Sequence, residues 1–502
     1  MLRKNHIFNI NYFLLIFVFS VFQFIPQSTI AQNTFEIQLN SSLDEYPLDF
    51  ILNSNNDFVG IIWKAPTTDY IPVSYIYKIS SEGDTTSKLF SKQDTVLKLY
   101  KIIQAGNSPL EYLVTGIGYN SDSSASLWFS YFVKINENLD IIWQKTYQLH
   151  NVDEYACIPT SPQLLKEKEN TFLHACFLTP HWKMYLFRIS TAGDSLAYRI
   201  YENDSSGEIS DLTYNYDSSA YWLHTHFAHY DPSGPESQCI TVNFDLEQTN
   251  IMYYPRWFAE GCSAKLLPDR NLVAGSRFRE AAIGGYNHYL AAFKLDTAFN
   301  VLAECKFTHP DTTTQGGSTT MDFYYPSCIY VGGDHTMPLG IWVPVPTWIV
   351  VAKMNQELEI EFEKYFGGDA HYNFKTVTAA SDSGILISGT RYDWNTQNYE
   401  RDAIIIKLDM NGCITGIQNQ NKIKVSTAIV YPNPGSEEIN VRTALKNTIF
   451  EMLDMNGKLL ISKNLNHNIT KINSISLKPG TYTWMVYDKT KVYDTGKWIK
   501  TK

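Results

Sequence analysis

The sequence has no C-x-x-C pair among its seven cysteines, no excess of positive charge, and no second long apolar run beyond its N-terminus. Each absence removes a class of function. Cysteines scattered at Cys157, Cys176, Cys239, Cys262, Cys305, Cys328 and Cys413 cannot supply the paired thiolates of a zinc ribbon or a thioredoxin-like site. Their odd number leaves at least one thiol outside any intramolecular pair. The set reads as small buried apolar residues with one or two disulfides among them. A formal net charge of −10 and a pI near 5.7 argue against a basic surface for nucleic acid or an anionic membrane.

Familiar hydrolase signatures are missing as well. The chain has no G-x-S-x-G elbow, H-E-x-x-H helix or Walker loop. Ser381-Asp382-Ser383-Gly384 lacks the rest of a sialidase-like Asp-box and reads as a turn before a strand. Gly-Gly pairs beginning at residues 284, 316, 332 and 367 read as turns rather than phosphate cradles. No cofactor and no bound metal is expected.

The N-terminus carries an export signal. Arg3, Lys4 and His6 precede an apolar run from Tyr12 to Ile25, and the segment ends Thr29-Ile30-Ala31 before Gln32. Small residues three and one before the cut are what signal peptidase reads, which places cleavage between Ala31 and Gln32. The alternative is a membrane anchor, but the run falls short of the ~20 residues that span a bilayer. Residues 1–31 are therefore read as a signal peptide, and no transmembrane anchor is expected in the mature chain.

Hydrophobic residues make up 44% of the 502, with 33 Tyr, 27 Phe and 11 Trp, a bias toward strand-forming aromatics. One pattern recurs: hydrophobic, basic or polar, hydrophobic, then Ser, Asp or Asn. It reads Tyr77-Lys78-Ile79-Ser80, Val133-Lys134-Ile135-Asn136, Phe187-Arg188-Ile189-Ser190, Val242-Asn243-Phe244-Asp245, Phe293-Lys294-Leu295-Asp296, Ala352-Lys353-Met354-Asn355 and Ile406-Lys407-Leu408-Asp409. The second positions are 56, 54, 55, 51, 59 and 54 residues apart. An apolar strand precedes each copy, 339–343 in the sixth, and others flank it, about four strands per unit.

Such units, with no helical periodicity between them, are too small to bury both faces alone and stack around an axis as propeller blades. The expected fold class is all-β: a seven-bladed β-propeller of four-stranded blades over residues 33–416, followed by a small C-terminal β-sandwich. Closing the ring requires a strand from elsewhere for the last blade. Residues 35–39 are the candidate, since Phe35 to Asn40 followed by Asp44-Glu45-Tyr46 parallels Trp143 to Leu149 followed by Asp153-Glu154-Tyr155.

Past Gly416 the repeat stops, and residues 417–427 read as a linker around Gln418 to Lys422. Beyond it come Tyr431-Pro432-Asn433-Pro434, an Asp454-x-x-Gly457-Lys458 turn, a Pro479-Gly480-x-Tyr482 turn and a closing Gly496-Lys497-Trp498. Turn chemistry of this kind joins short strands. In this order and at this place, the motifs resemble the type A sorting domain of type IX secretion, over residues 428–502. The resemblance implies recognition by the outer-membrane translocon, removal on export, and a product attached to the cell surface or released. Asp94-Thr95-Val96, Asp194-Ser195-Leu196 and Asp296-Thr297-Ala298 resemble the O-glycosylation sites that accompany this route.

One histidine cluster stands out, His224-Thr225-His226-Phe227-Ala228-His229. On a strand His224 and His226 share a face, the geometry of a two-ligand metal site. His174 is read as equivalent to His224 one copy earlier, a position otherwise filled by Gly60, Thr115, Ala274, Gly340 and Ser388, so both are expected to fill space between blades. The acidic loops Asp311-Thr312-Thr313 and Asp204-Ser205-Ser206 lack the alternating carboxylates of a calcium loop. The expected function is a non-catalytic binding or adhesion module for an extracellular protein or glycan. The alternative is an extracellular hydrolase or lyase at the propeller channel, which would need histidines and carboxylates converging there.

Overall fold

The computed structural model describes residues 32–501 except 67–70, 93, 121–127, 149–157, 169, 180–182, 203–207, 227–236, 256–257, 283–284, 308–318, 336–344, 396–399, 415–424, 427, 444, 455–457 and 490–491. The signal segment through Ala31, the linker core 418–422, both acidic loops, His229 and Cys157 lie outside the described residues. All regular structure described is strand, and no helix there is long and apolar enough to cross a membrane.

Seven antiparallel sheets follow one another as blades. Blade 1 runs through Asp44–Leu52, Phe58–Ala65, Val73–Ile79 and Thr85–Phe90; blades 2 to 6 begin at Thr95, Ile158, Ile209, Phe258 and Met321. Blade 7 takes His371–Ala379, Ile385–Tyr392 and Arg401–Leu408 from the end of the repeat, and its outermost strand, Phe35–Gln38, from the start of the chain. Phe35 pairs with Lys407 and Gln38 with Ile404. Each blade's first strand contacts the first strand of the next, and Asp44–Leu52 contacts His371–Ala379, so the ring is closed.

The repeated signature has two physical causes. In five blades its basic residue pairs with an acid at or beside the turn between the blade's first two strands: Lys78 with Asp57 at 3.1 Å, Lys134 with Glu111 at 2.6 Å, Arg188 with Glu167 at 2.9 Å, Lys294 with Asp269 at 3.4 Å and Lys407 with Asp382 at 2.8 Å, whereas in blade 6 Lys353 pairs with Glu361 of the outer strand at 2.8 Å. Its final Ser, Asp or Asn turns the chain, accepting backbone N–H groups two and four residues on, as Asn136 does from Asn138 and Asp140 at 2.9 and 2.8 Å. The third residue after it takes a positive φ, filled by Gly83, Gly193 and Gly412 in three blades and by Leu139, Leu246, Phe299 and Leu358 in the others. The two solutions are complementary. The four large side chains are buried and fill their own seam, whereas a Cβ on the three glycines would meet Phe35, Trp143 or Phe362 at about 2.8–2.9 Å, rings supplied by the preceding blade's outer strand.

This geometry corrects the fourth copy. Asn243 is the turn residue, accepting the Glu247 N–H at 2.7 Å, so the copy is Ile240-Thr241-Val242-Asn243 and Thr241 replaces the basic residue. Lys134, Arg188, Thr241 and Lys294 are then 54, 53 and 53 residues apart. In blade 6 the strand paired with Trp348–Met354 is Ile329–His335, while the expected strand at 339–343 lies outside the described residues. Gly332 thus sits within a strand rather than a turn, because a Cβ there would meet the Phe374 ring of blade 7 at 2.7 Å.

The core is divided among the seams. Seven hydrophobic clusters each bridge two neighbouring blades, and an eighth fills the C-terminal module. Each blade's second strand serves two seams by alternation: in blade 3, Phe172, Cys176 and Leu178 face blade 2, whereas Leu173, Ala175 and Phe177 face blade 4. The C-terminal module stacks a sheet of Ala428–Tyr431, Glu438–Thr443 and Ile469–Asn473 on a second sheet of Leu459–Leu465, Thr448–Leu453, Gly480–Tyr487 and Val492–Lys500. That is a small sandwich.

Phe35 is 1% exposed, closes blade 7 and fills the space above Gly83. Phe35→Ala is expected to lower the unfolding free energy by about 3–5 kcal/mol, read from the urea midpoint; a loss under 1 kcal/mol would mean the N-terminal strand does not close the ring.

Candidate functional sites

The C-terminal motif residues assemble around the final strand. Asn433 clamps it from both sides, its Nδ2 donating to the Lys497 carbonyl at 2.8 Å and its Oδ1 accepting the Ile499 N–H at 2.9 Å. Trp498 Nε1 donates to the Pro432 carbonyl at 2.7 Å, and its ring lies 6.1 Å from that of Tyr482. Tyr482 in turn closes the Pro479-Gly480 turn by donating to the Lys478 carbonyl at 2.6 Å. Tyr431, Pro434, Gly496 and Lys497 lie on the same strands or the connection beside them. Asp454 closes a separate hairpin by accepting the Lys458 N–H at 3.0 Å, and Gly457 lies outside the described residues. Gln32 is docked on blade 7, accepting the Met410 N–H at 2.6 Å and donating to the Asp382 carbonyl.

At the propeller axis, ionisable side chains are spent on holding blades together. Asp49, Asp211 and Asp322 accept backbone N–H groups of the next blade, from Ile102, Ala264 and Ala379, at 3.0, 2.9 and 2.8 Å. Lys101 pairs with Asp49 at 2.9 Å. Burial alone would lower its pKa, but the carboxylates of Asp49, Asp211 and Asp322 outweigh that and raise it. Asp334, in the seam between blades 6 and 7, is pushed up to about 7 by burial, although it accepts from Asn373 Nδ2 at 2.8 Å and from the Phe374 N–H.

The histidines separate into different seams. His174 faces blade 2, with Nδ1 3.3 Å from the Thr115 hydroxyl and its ring 5.0 Å from Phe132. His224 faces blade 5, between the Thr213 hydroxyl at 3.0 Å and the Tyr254 hydroxyl at 2.6 Å. Their expected equivalence was one residue out: measured from the signature, the counterpart of His224 in blade 3 is Ala175, opposite Leu186 as His224 is opposite Cys239. Among the described residues no group of three His, Cys, Asp or Glu is placed to hold a metal. The six described cysteines are free thiols rather than disulfides. Burial pushes the Cys176, Cys239 and Cys262 thiols up, which keeps them protonated and unreactive.

An open cleft of about 550 Å³ lies at the turn end of the ring, where blades 6, 7 and 1 meet. Its lining is dense in neutral amides and hydroxyls, including Asn33, Asn55, Asn56 and Ser381, with the Tyr325 ring, 43% exposed, also on its lining. Its two ionic groups neutralise each other, since Lys407 pairs with Asp382 at 2.8 Å. Nothing in the sequence marked Tyr325, which follows a three-residue strand and belongs to no repeated pattern.

Burial lowers both His174 and His224 to about 3. Their neutral rings contribute stability that is fully present above the unfolded value near 6.5 and is lost as pH falls toward 3. His224→Asn should therefore reduce the proton uptake on unfolding between pH 6.5 and 4 by about one proton, read from the pH slope of the denaturation free energy; an unchanged slope would place a charged imidazole in the folded seam.

Residues 429–501 match the family described as secretion system C-terminal sorting domain. No curated protein matches the chain. Among solved structures, a protein of unknown function from Dyadobacter fermentans DSM 18053 aligns at 10% identity over 74% of this chain and 97% of its own, with a TM-score of 0.41. PorZ, a surface component of the type IX secretion system of Porphyromonas gingivalis, aligns at 9% identity over 90% and 75%, with a TM-score of 0.27. The endosialidase of phage phi92 aligns at 8% identity over 93% and 87%, with a TM-score of 0.41. Residues 429–501 are a type IX secretion sorting domain, which directs the β-propeller it follows to the cell surface or the exterior.

Proposed function

We propose that the mature chain begins at Gln32 after signal-peptide cleavage, that residues 431–434, 454–458, 479–482 and 496–497 carry the sorting signal to the translocon, and that the propeller is a non-catalytic binding module for a neutral oligosaccharide. The cleft between blades 6, 7 and 1 carries the last part of this reading. Sugars present rows of hydroxyls and flat C–H faces, and the cleft offers amides and hydroxyls that both donate and accept beside an exposed aromatic ring. Its internal ion pair leaves little net charge to select an acidic ligand. The axis favours binding over chemistry, because its carboxylates are occupied by the backbone of the adjacent blade.

The test is a glycan array with the full mature chain, followed by titration of the best neutral hit. Tyr325→Ala is expected to weaken it about tenfold, the size of one lost stacking contact near 1.4 kcal/mol, with an unchanged urea midpoint. Accumulating reducing ends would establish the hydrolase reading instead, and binding indifferent to Tyr325→Ala would move the site elsewhere.

A further inference from the structure

Ala428–Tyr431 is apolar at all four positions, which a strand covering only a small sandwich core does not require. Its two faces have different partners. Ala428 and Val430 belong to the core of the sorting module, whereas Ile429 and Tyr431 pack into the cluster between blades 5 and 6. Ile429 is only 8% exposed. In the neighbouring strand Arg442 lies directly opposite Ile429, and so on the same face.

Arg442 reaches the same blade. Its Nη1 donates to Nε2 of His335 at 2.9 Å, its Nη2 lies 3.4 Å from the Tyr365 hydroxyl, and its guanidinium stands 5.7 Å from the Tyr365 ring centre. The backbone leading into the module adds to the contact. Val425–Ser426 pairs antiparallel with Ile360–Gly367, the outer strand of blade 6, placing Val425 opposite Phe366 and Ser426 opposite Tyr365. Blade 6 thereby has five strands. Its outer strand is buried over its last three residues, whereas that of blade 4 has no buried residue.

We infer that the outer edge of blade 6 is a docking surface for this chain's own sorting module. The module is held against its cargo through Ile429, Tyr431 and Arg442 rather than carried on a free tether. Docking covers the Tyr431 side of the sorting motif and leaves the opposite sheet, with Leu459, Val492 and Ile499 exposed, as the face open to the export machinery. Cutting the linker before Val425 and releasing the module would uncover an unpaired strand edge beside an apolar patch.

The test uses the full mature chain with exposed Cys413 replaced by Ser and spin labels at Leu302 and Leu459, both exposed. Pulsed dipolar spectroscopy should give one narrow distance distribution. Ile429→Asp and Arg442→Glu should each broaden it, while hydrogen–deuterium exchange at the amides of the buried, strand-paired Phe450 and Val486 stays as slow as in the parent module. If Ile429→Asp unfolds the module, Arg442→Gln gives the same reading with less disturbance. A broad distribution in the parent chain, or a narrow one that survives the substitutions with the module folded, would overturn the inference.

Discussion

The ring of blades depends on hydrogen bonds that pass from one blade's innermost strand to the backbone of the next. A small sheet has two faces to bury and two edges to satisfy, and stacking in a ring solves only the faces. At the axis the remaining edge is tied off by side chains: Asp49, Asp211, Ser263 and Asp322 accept N–H groups across their seams, and Gln163 and Thr378 donate to carbonyls across theirs. The residue types differ while the job stays the same. The carboxylates of Asp49, Asp211 and Asp322 are thus held as structural acceptors.

The repeat was legible because each of its positions answers a local physical demand. The basic residue seeks the acid of the neighbouring turn, and the Ser, Asp or Asn caps its own turn. Where the pattern misled, a neighbouring pair imitated it: Phe244-Asp245 copies the ending of the signature two residues beyond the real turn at Asn243. Gly332 was opaque for a different reason. A strand glycine kept small by a ring from the next blade looks in sequence like a turn glycine.

One-residue errors matter most in strands, where a single step reverses the face. That is why His174 and His224 looked equivalent and yet serve opposite sides of their blades. The cleft was illegible because its lining comes from three blades and from the residues just after the expected signal cleavage, a juxtaposition that only ring closure creates. The sorting motif was readable as a string of turns, but not the partnership of Asn433 with the last strand. Four apolar residues in a row at 428–431 were visible all along, and their meaning needed the second face to be seen against blade 6.

The central claim is that side-chain hydrogen bonds at the axis, accepted in four seams and donated in two, tie neighbouring blades together. Hydrogen–deuterium exchange at the amides of Ile102, Ala264 and Ala379 tests it most directly, since each donates across a seam to an aspartate rather than along a sheet. Slow exchange, as protected as the middle strands of the blades, is the expected result. Exchange as fast as that of the exposed turns would contradict the account.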